Sequence, residues 1–232
     1  FPMMIANSVG GGGYIIEGSG LFDGSTGYLT RTFGATATDG ETFTYSTVIK
    51  RSKLGVEQPI VYAGTGSETG RTQIRFDSDD TLVLYVYDGS AWKSALTSAK
   101  FRDPAAYLHI VAIYDTSNGT AADRLQLWVN GVRQVDVGDA PGSAITSLLG
   151  LNGTASVINN FWEGYSANIT FIDGLALDPT SFGEAVGDFW QINDVSELTF
   201  GTNGFLIEGG VDMAAGTDSS SNSNDFTKTG TI

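Results

Sequence analysis

A single histidine and no cysteine leave this chain few routes to covalent chemistry. A cysteine nucleophile is excluded. A serine triad would have to use His109, which lies in the apolar run "YLHIVAIY" with nothing resembling a nucleophile elbow nearby. That setting suits a histidine satisfied inside a strand better than a general base. Paired carboxylates remain. A glycosidase needs two of them roughly 5 to 10 Å apart, which on one strand means acids two or four residues apart on one face. No Glu-x-Asp-x-Glu run occurs, and Glu163, Glu184, Glu197 and Glu208 read as isolated, solvated positions. "FDSDD" at 76–80 sets Asp77 and Asp79 at the first and third positions of a calcium loop. Its sixth position is Leu82, where an EF-hand needs glycine, so a hairpin turn tipped by aspartates explains it better. The alternative is a weak Ca2+ site at Asp77 and Asp79, completed by a neighbouring loop. No other cofactor is expected, and no catalytic residue is assigned.

The aromatic residues carry more information. In "DRLQLWVNGVRQVDV" at 123–137, Leu125, Leu127 and Val129 face one side of a strand. Trp128 faces the other, with Arg124 and Gln126. In "TLVLYVYD", Tyr85 and Tyr87 likewise stand opposite Leu82, Leu84 and Val86. Tyr and Trp join an apolar body to a polar tip, so Tyr85, Tyr87 and Trp128 are candidates for sugar stacking or for a partner face. The competing reading is that loops or a second sheet of this same chain cover that face.

The elements that would hold these residues are short strands. Of 232 residues 31 are glycine and 5 proline, and Asp23-Gly24, Asp88-Gly89, Asn130-Gly131, Asn152-Gly153 and Asp173-Gly174 punctuate apolar runs. Asn130-Gly131 between two alternating runs is a strong hairpin signal, because a type I′ turn needs positive φ at both central residues. Strand patterns fall near 14–17, 20–23, 27–33, 42–51, 58–63, 72–77, 81–88, 94–100, 107–115, 124–130, 132–137, 145–151, 164–173 and 204–208. One helix is expected, at 178–185, where Asp178 can cap and Pro179 suits the first turn. The fold class is therefore all-β, a two-sheet antiparallel sandwich with at most one short helix. At this length one domain, 14–232, is the better expectation.

Ahead of that domain, residues 1–13 read as an arm. Phe1, Met3, Met4 and Ile5 precede "GGGG", too few apolar residues to form a core, and so are candidate anchors on another subunit. Without cysteine the fold has no disulfides, and its stability comes from a 41% hydrophobic composition. A net charge of −14, with no basic cluster longer than "KRSK" at 50–53, argues against a nucleic-acid partner. No apolar stretch is long enough to cross a membrane as a helix, and the N-terminus lacks a signal-peptide pattern. The tail "TDSSSNSNDFTKTG" is polar enough, read alone, to be a linker.

"LFDGSTGYLTRTFG", "FTYSTVIKRSKLG", "YLHIVAIYDTSNGTAADRLQLWVNGVRQ" and "FWEGYSANITFIDGLALDPTSFG" resemble, in order, the laminin-G-like branch of the concanavalin A-like jelly-roll sandwiches. The wording "KRSKLG", "FRDP", "FIDG", "ALDP", "SFG" and "GTNGF" is similar to the version found in virion proteins of tailed bacteriophages. The resemblance implies a non-enzymatic structural protein of the virion surface, either a capsid decoration or a tail or head fibre module. Such a protein would attach to other virion proteins as a homo-oligomer, with a trimer favoured, and could adhere to the host surface. The alternative is a lectin module binding host glycan; a glycosidase is the remote one, since the paired acids of related glucanases have no counterpart here. "GFLIEGGVDMAAGTDSSSNSNDFTKTG" resembles the opening of such modules yet comes last, so 204–232 is expected to complete the sandwich as a permuted strand.

Overall fold

The computed structural model describes residues 14–64, 70–87, 90–134 and 138–232. Two antiparallel sheets stack face to face. The first orders β1 (Gly20–Asp23), β12 (Glu163–Asp173), β3 (Thr42–Arg51), β8 (Leu108–Asp115), β9 (Leu125–Val129) and β10 (Val132–Arg133), and β15 (Phe205–Ile207) also pairs with β12. The second orders β16 (Thr227–Thr229), β2 (Tyr28–Thr32), β11 (Ala155–Ile158), β4 (Gln58–Gly64), β5 (Arg71–Phe76), β6 (Thr81–Tyr87) and β7 (Trp92–Lys100). A small hairpin, β13 (Gly183–Val186) with β14 (Phe189–Ile192), stands beside them.

The main core fills the space between the sheets. It takes Phe43, Tyr45 and Ile49 from β3, Leu82, Leu84 and Val86 from β6, and Leu125, Leu127 and Val129 from β9. Alternation puts the other residues of each strand outside. In β9 these are half-buried, as a one-sided strand requires. In β3 nearly every residue is buried, because a second layer covers the outer face of the first sheet. That layer is the 175–200 segment. Its Leu177, Phe182, Val195, Leu198 and Phe200 pack on Val111, Ile113, Trp128, Ile172 and Leu206, while Trp190 and Ile192 pack on Val48. Lys50, the first residue of β3 short of full burial, marks where this cover stops.

Several expected elements differ. The 145–151 run is not a strand: Ile145 and Leu148 pack against the core from a loop, and the strand of this region is Ala155–Ile158. Residues 14–17 are also outside any strand, Tyr14 and Ile16 packing on the Val48–Trp190 cluster instead. The expected helix at 178–185 is one 3-10 turn, Pro179–Ser181, capped by Asp178 as anticipated. It stops because Gly183 starts β13 beneath Trp190, in antiparallel pairing with Ile192. Among the described residues the α-helix is α1 (Val211–Ala215), closed by Gly216 in the left-handed region. Nor is the tail a linker. Asp218, buried, accepts from the amides of Leu206, Ser220 and Asn224 and from the Ser220 hydroxyl, and the Asn222 and Asn224 side chains donate to the Gly204 carbonyl.

Candidate functional site

Tyr85 and Tyr87 lie on the outer face of the second sheet, and the register sets a ladder around them. Tyr62, Gln73, Tyr85 and Ser94 align across β4, β5, β6 and β7, and Tyr87 pairs with Trp92. Trp92 meets both tyrosines edge to face, its ring centroid 5.9 Å from Tyr85 and 5.6 Å from Tyr87. The guanidinium of Arg75 stacks 4.6 Å from the Tyr85 ring, and that of Arg71 4.8 Å from Tyr62. Arg75 is held in turn by Glu57 at 2.6 Å and Asp77 at 2.7 Å. These aromatics are half-buried, with polar tips interleaved among them. The face can therefore stack an apolar ring surface and offer hydrogen bonds beside it.

Trp128 is on the other sheet and does not join them. Its ring packs among the residues under the 175–200 segment, and its Nε1 donates to Gln126 Oε1 at 3.2 Å. The chain's own segment thus covers that aromatic face, while the face bearing Tyr85 and Tyr87 has no such layer among the described residues. Phe1, Met3, Met4 and Ile5 lie outside the described residues.

The acids are engaged elsewhere. Asp79 accepts from the Thr81 hydroxyl and pairs with Lys100 at 2.9 Å, which hold its carboxyl down at about 2. Asp77 pairs with Arg75. No group of three His, Cys, Asp or Glu able to hold a metal occurs among the described residues. Glu163 is not isolated: it stands directly across from Asp23. However, Lys53 pairs with Glu163 at 3.1 Å, and Asp23 accepts from the Thr26 hydroxyl and the amides of Thr26, Ser25 and Gly27. Those bonds push the Asp23 carboxyl well below the usual range, the reverse of what a general acid needs. Glu184 and Glu197 are exposed, and Glu208 accepts from Tyr14 at 2.8 Å.

His109 is buried. Trp190 Nε1 donates to its Nδ1 at 2.8 Å, which places the proton on Nε2, facing Ser46 Oγ at 2.8 Å. Burial pushes its pKa down to about 3, so the ring is a neutral linker between β8 and the covering hairpin.

Sequence reasoning missed Trp92, because the strand was set to begin at 94. The Asp-Gly pair at 88–89 in the sequence, with alternation carried two residues further back, is the signal that could have found it.

Comparison with known proteins matches residues 23–182 to the Laminin_G_3 family, described as the concanavalin A-like lectin/glucanases superfamily. No curated protein matches the sequence. Domain 4 of an extracellular arabinanase from Geobacillus stearothermophilus, solved with arabinotriose, is similar at TM-score 0.51 and 15% identity over 77% of this chain and 82% of that one. A heptameric SAP-like pentraxin from Limulus polyphemus aligns at 0.46 and 15% over 78% and 96%. Mouse laminin alpha1 domains LG4-5 align at 0.48 and 11% over 68% and 41%. At these identities the likeness is one of fold.

Proposed function

The chain belongs to the concanavalin A-like lectin/glucanases superfamily, and from that premise we propose that it is a carbohydrate-binding module that holds glycan without cleaving it. The observation that carries the reading is the joint placement of Tyr85, Tyr87 and Trp92, half-buried, on one outer sheet face that no apolar layer covers among the described residues, beside Ser94. Arg75 already caps Tyr85, so Tyr87 and Trp92 supply the stacking surface for a sugar's C–H face. Half-buried Ser94 and the polar tip of Tyr87 meet its hydroxyls. The engaged state of Asp23 and Glu163 supports binding over hydrolysis. On a glycan array and by calorimetry, Trp92→Ala should weaken binding by about 1 kcal/mol, roughly fivefold, with an unchanged melting temperature. Undiminished binding by that variant, or no glycan bound by the parent protein, would refute the reading.

As a second proposal, this module is carried on the surface of a virion, as a capsid decoration or fibre element attached to other virion proteins. What favours it is the wording "KRSKLG", "FIDG" and "GTNGF", similar to phage virion proteins, together with the apolar head of the 1–13 arm. Phe1, Met3, Met4 and Ile5 would each contribute roughly 1.5 to 3 kcal/mol if a neighbouring subunit buried them, most simply in a homotrimer. A protein lacking residues 1–13 should then lose oligomerisation in light scattering and lose binding to particles. Retention of both would remove the anchoring role.

A further inference from the structure

At one end of the first sheet, on its outer face, three neighbouring strands present Leu21, Tyr165 and Lys50 in a row, which Tyr107, the residue before β8, extends. Leu21 pairs with Tyr165 and Tyr165 with Lys50; Tyr107 follows across from Lys50, one step beyond the Ile49–Leu108 pair. The covering 175–200 segment ends short of this row, and Leu21, Tyr107 and Tyr165 remain 51%, 38% and 37% exposed. Beside this row lies a cavity of about 220 Å³ lined by Lys50, Tyr107 and Tyr165 together with Ile16, Ser19 and Val48. That is below the roughly 300–1,000 Å³ of pockets for drug-sized ligands, and so suits one ring rather than an oligosaccharide.

Lys50 gives the cavity a charge preference. Lys50 Nζ sits 5.2 Å from the Tyr107 ring centroid and has no carboxylate within 4.0 Å among the described residues of this acidic chain. Of the acids near the row, Glu163 is held by Lys53 and Asp23 by its own turn, while Glu17 stands exposed on the Ile16–Ser19 segment that borders the cavity. Ser166, next to Tyr165 on β12, turns its side chain to the core face across from Ile49 and so does not reach the cavity. Neighbouring strands are about 4.8 Å apart, so the two tyrosines flanking Lys50 stand about 10 Å apart at their backbones, room for a sugar ring between or above them.

We propose that this cavity is a second carbohydrate subsite, selective for a ring that bears a carboxylate, such as a hexuronate or sialic acid unit. Lys50 pairs with the carboxylate, and Tyr107 and Tyr165 flank the ring. The subsite is on the opposite sheet from Trp92 and does not depend on that face. The test is a titration of the isotope-labelled protein, followed by amide chemical shifts, with sodium glucuronate, glucose and sodium sulfate. Glucuronate should give saturable shifts at Lys50, Tyr107 and Tyr165 at about tenfold lower concentration than glucose, and Lys50→Met should erase that preference while leaving the rest of the spectrum in place. Tyr165→Ala should weaken both sugars but leave glucuronate preferred. The proposal is overturned if sulfate matches glucuronate, if Lys50→Met retains the preference, or if the same amides move on raising protein concentration alone, which would make the row a contact between copies. Shifts at Tyr85, Tyr87 and Trp92 report the first face separately, so failure at one face is distinct from failure at the other.

Discussion

Arg51 is the only member of "KRSK" carried fully into the interior, and its charge decides how the sandwich end is closed. It is 1% exposed, 3.1 Å from Asp80, and donates to the Phe101 carbonyl at 2.7 Å while stacking 4.1 Å from the Phe76 ring. Asp80, 4% exposed, also takes Arg102 at 3.0 Å and the Gly55 amide at 2.8 Å. Burial alone would push the Asp80 carboxyl up; the Gly55 amide, Arg102 and Arg51 together outweigh it and hold the group below its ordinary 3.8. A carboxyl depressed in the folded state stabilises above its unfolded pKa, and that stability is lost as pH falls through the folded value. Asp80→Asn keeps an amino acid that tolerates the left-handed backbone found there, φ 69°, so it tests the charge. At pH 7 it should cost about 3–5 kcal/mol in urea unfolding, because Arg51 is left buried without its counter-ion. The gap to the parent should start to narrow below about pH 4, where Asp80 of the unfolded chain protonates, and close as pH falls through the lower folded value. A gap that stays constant down to pH 2 would assign the loss to packing instead. Nothing in "FDSDD" announced this: the third aspartate's partner is 29 residues away, on a strand that only the fold brings near.

At the scale of elements, legibility followed how locally each element is determined. β3 runs over the residues its alternation marks, and Asn130-Gly131 turns with φ of 49° and 72°, since two positive-φ residues between matched strands leave the chain no other choice. Gly131 serves twice, for an added Cβ would collide with the ring of Trp190 lying over the turn. That second role is tertiary and was invisible. The same covering hairpin explains two misreadings. Asp178 and Pro179 are genuine helix-start residues, but the next turn would carry Gly183 away from Trp190 and Ile192, so strand pairing overrides the local signal after three residues. Trp128, facing away from the leucines as its spacing requires, meets this same layer rather than an open surface. "AITSLLG" in turn satisfies its apolar residues as a loop, with the Leu148 amide donating to Thr72 Oγ1 at 3.1 Å and the Ser147 amide to the Gly40 carbonyl at 2.7 Å. Periodicity shows which residues seek burial; it does not show what will bury them.

For the molecule as a whole, the segment from Gly204 onward joins both sheets. β15 pairs with β12, beside β1 on the same edge, and β16 pairs with β2. Between them Phe205, Ile207, Met213 and Phe226 enter the main core, where Phe205 meets Phe226 at 4.7 Å and Phe171 at 5.6 Å. Four such side chains contribute roughly 1.5 to 3 kcal/mol each, together comparable to the 5 to 15 kcal/mol by which a domain is stable. A chain ending at Asn203 should therefore lack a cooperative melting transition. The far end of the segment points to a converse experiment. Ile232 packs against Gly20, where an added Cβ would come within 2.7 Å of its side chain, so the chain's last residue already lies beside the first strand. Moving residues 204–232 to the front, joined to residue 20 by a linker of about five residues, should keep every strand pairing described above. This permuted protein, without residues 1–19, is expected to melt cooperatively and give the same amide spectrum over β2 to β12. It tests whether the segment acts as an opening strand placed last: if the truncated chain folds, or the permuted chain does not, the sandwich does not depend on 204–232 in that way.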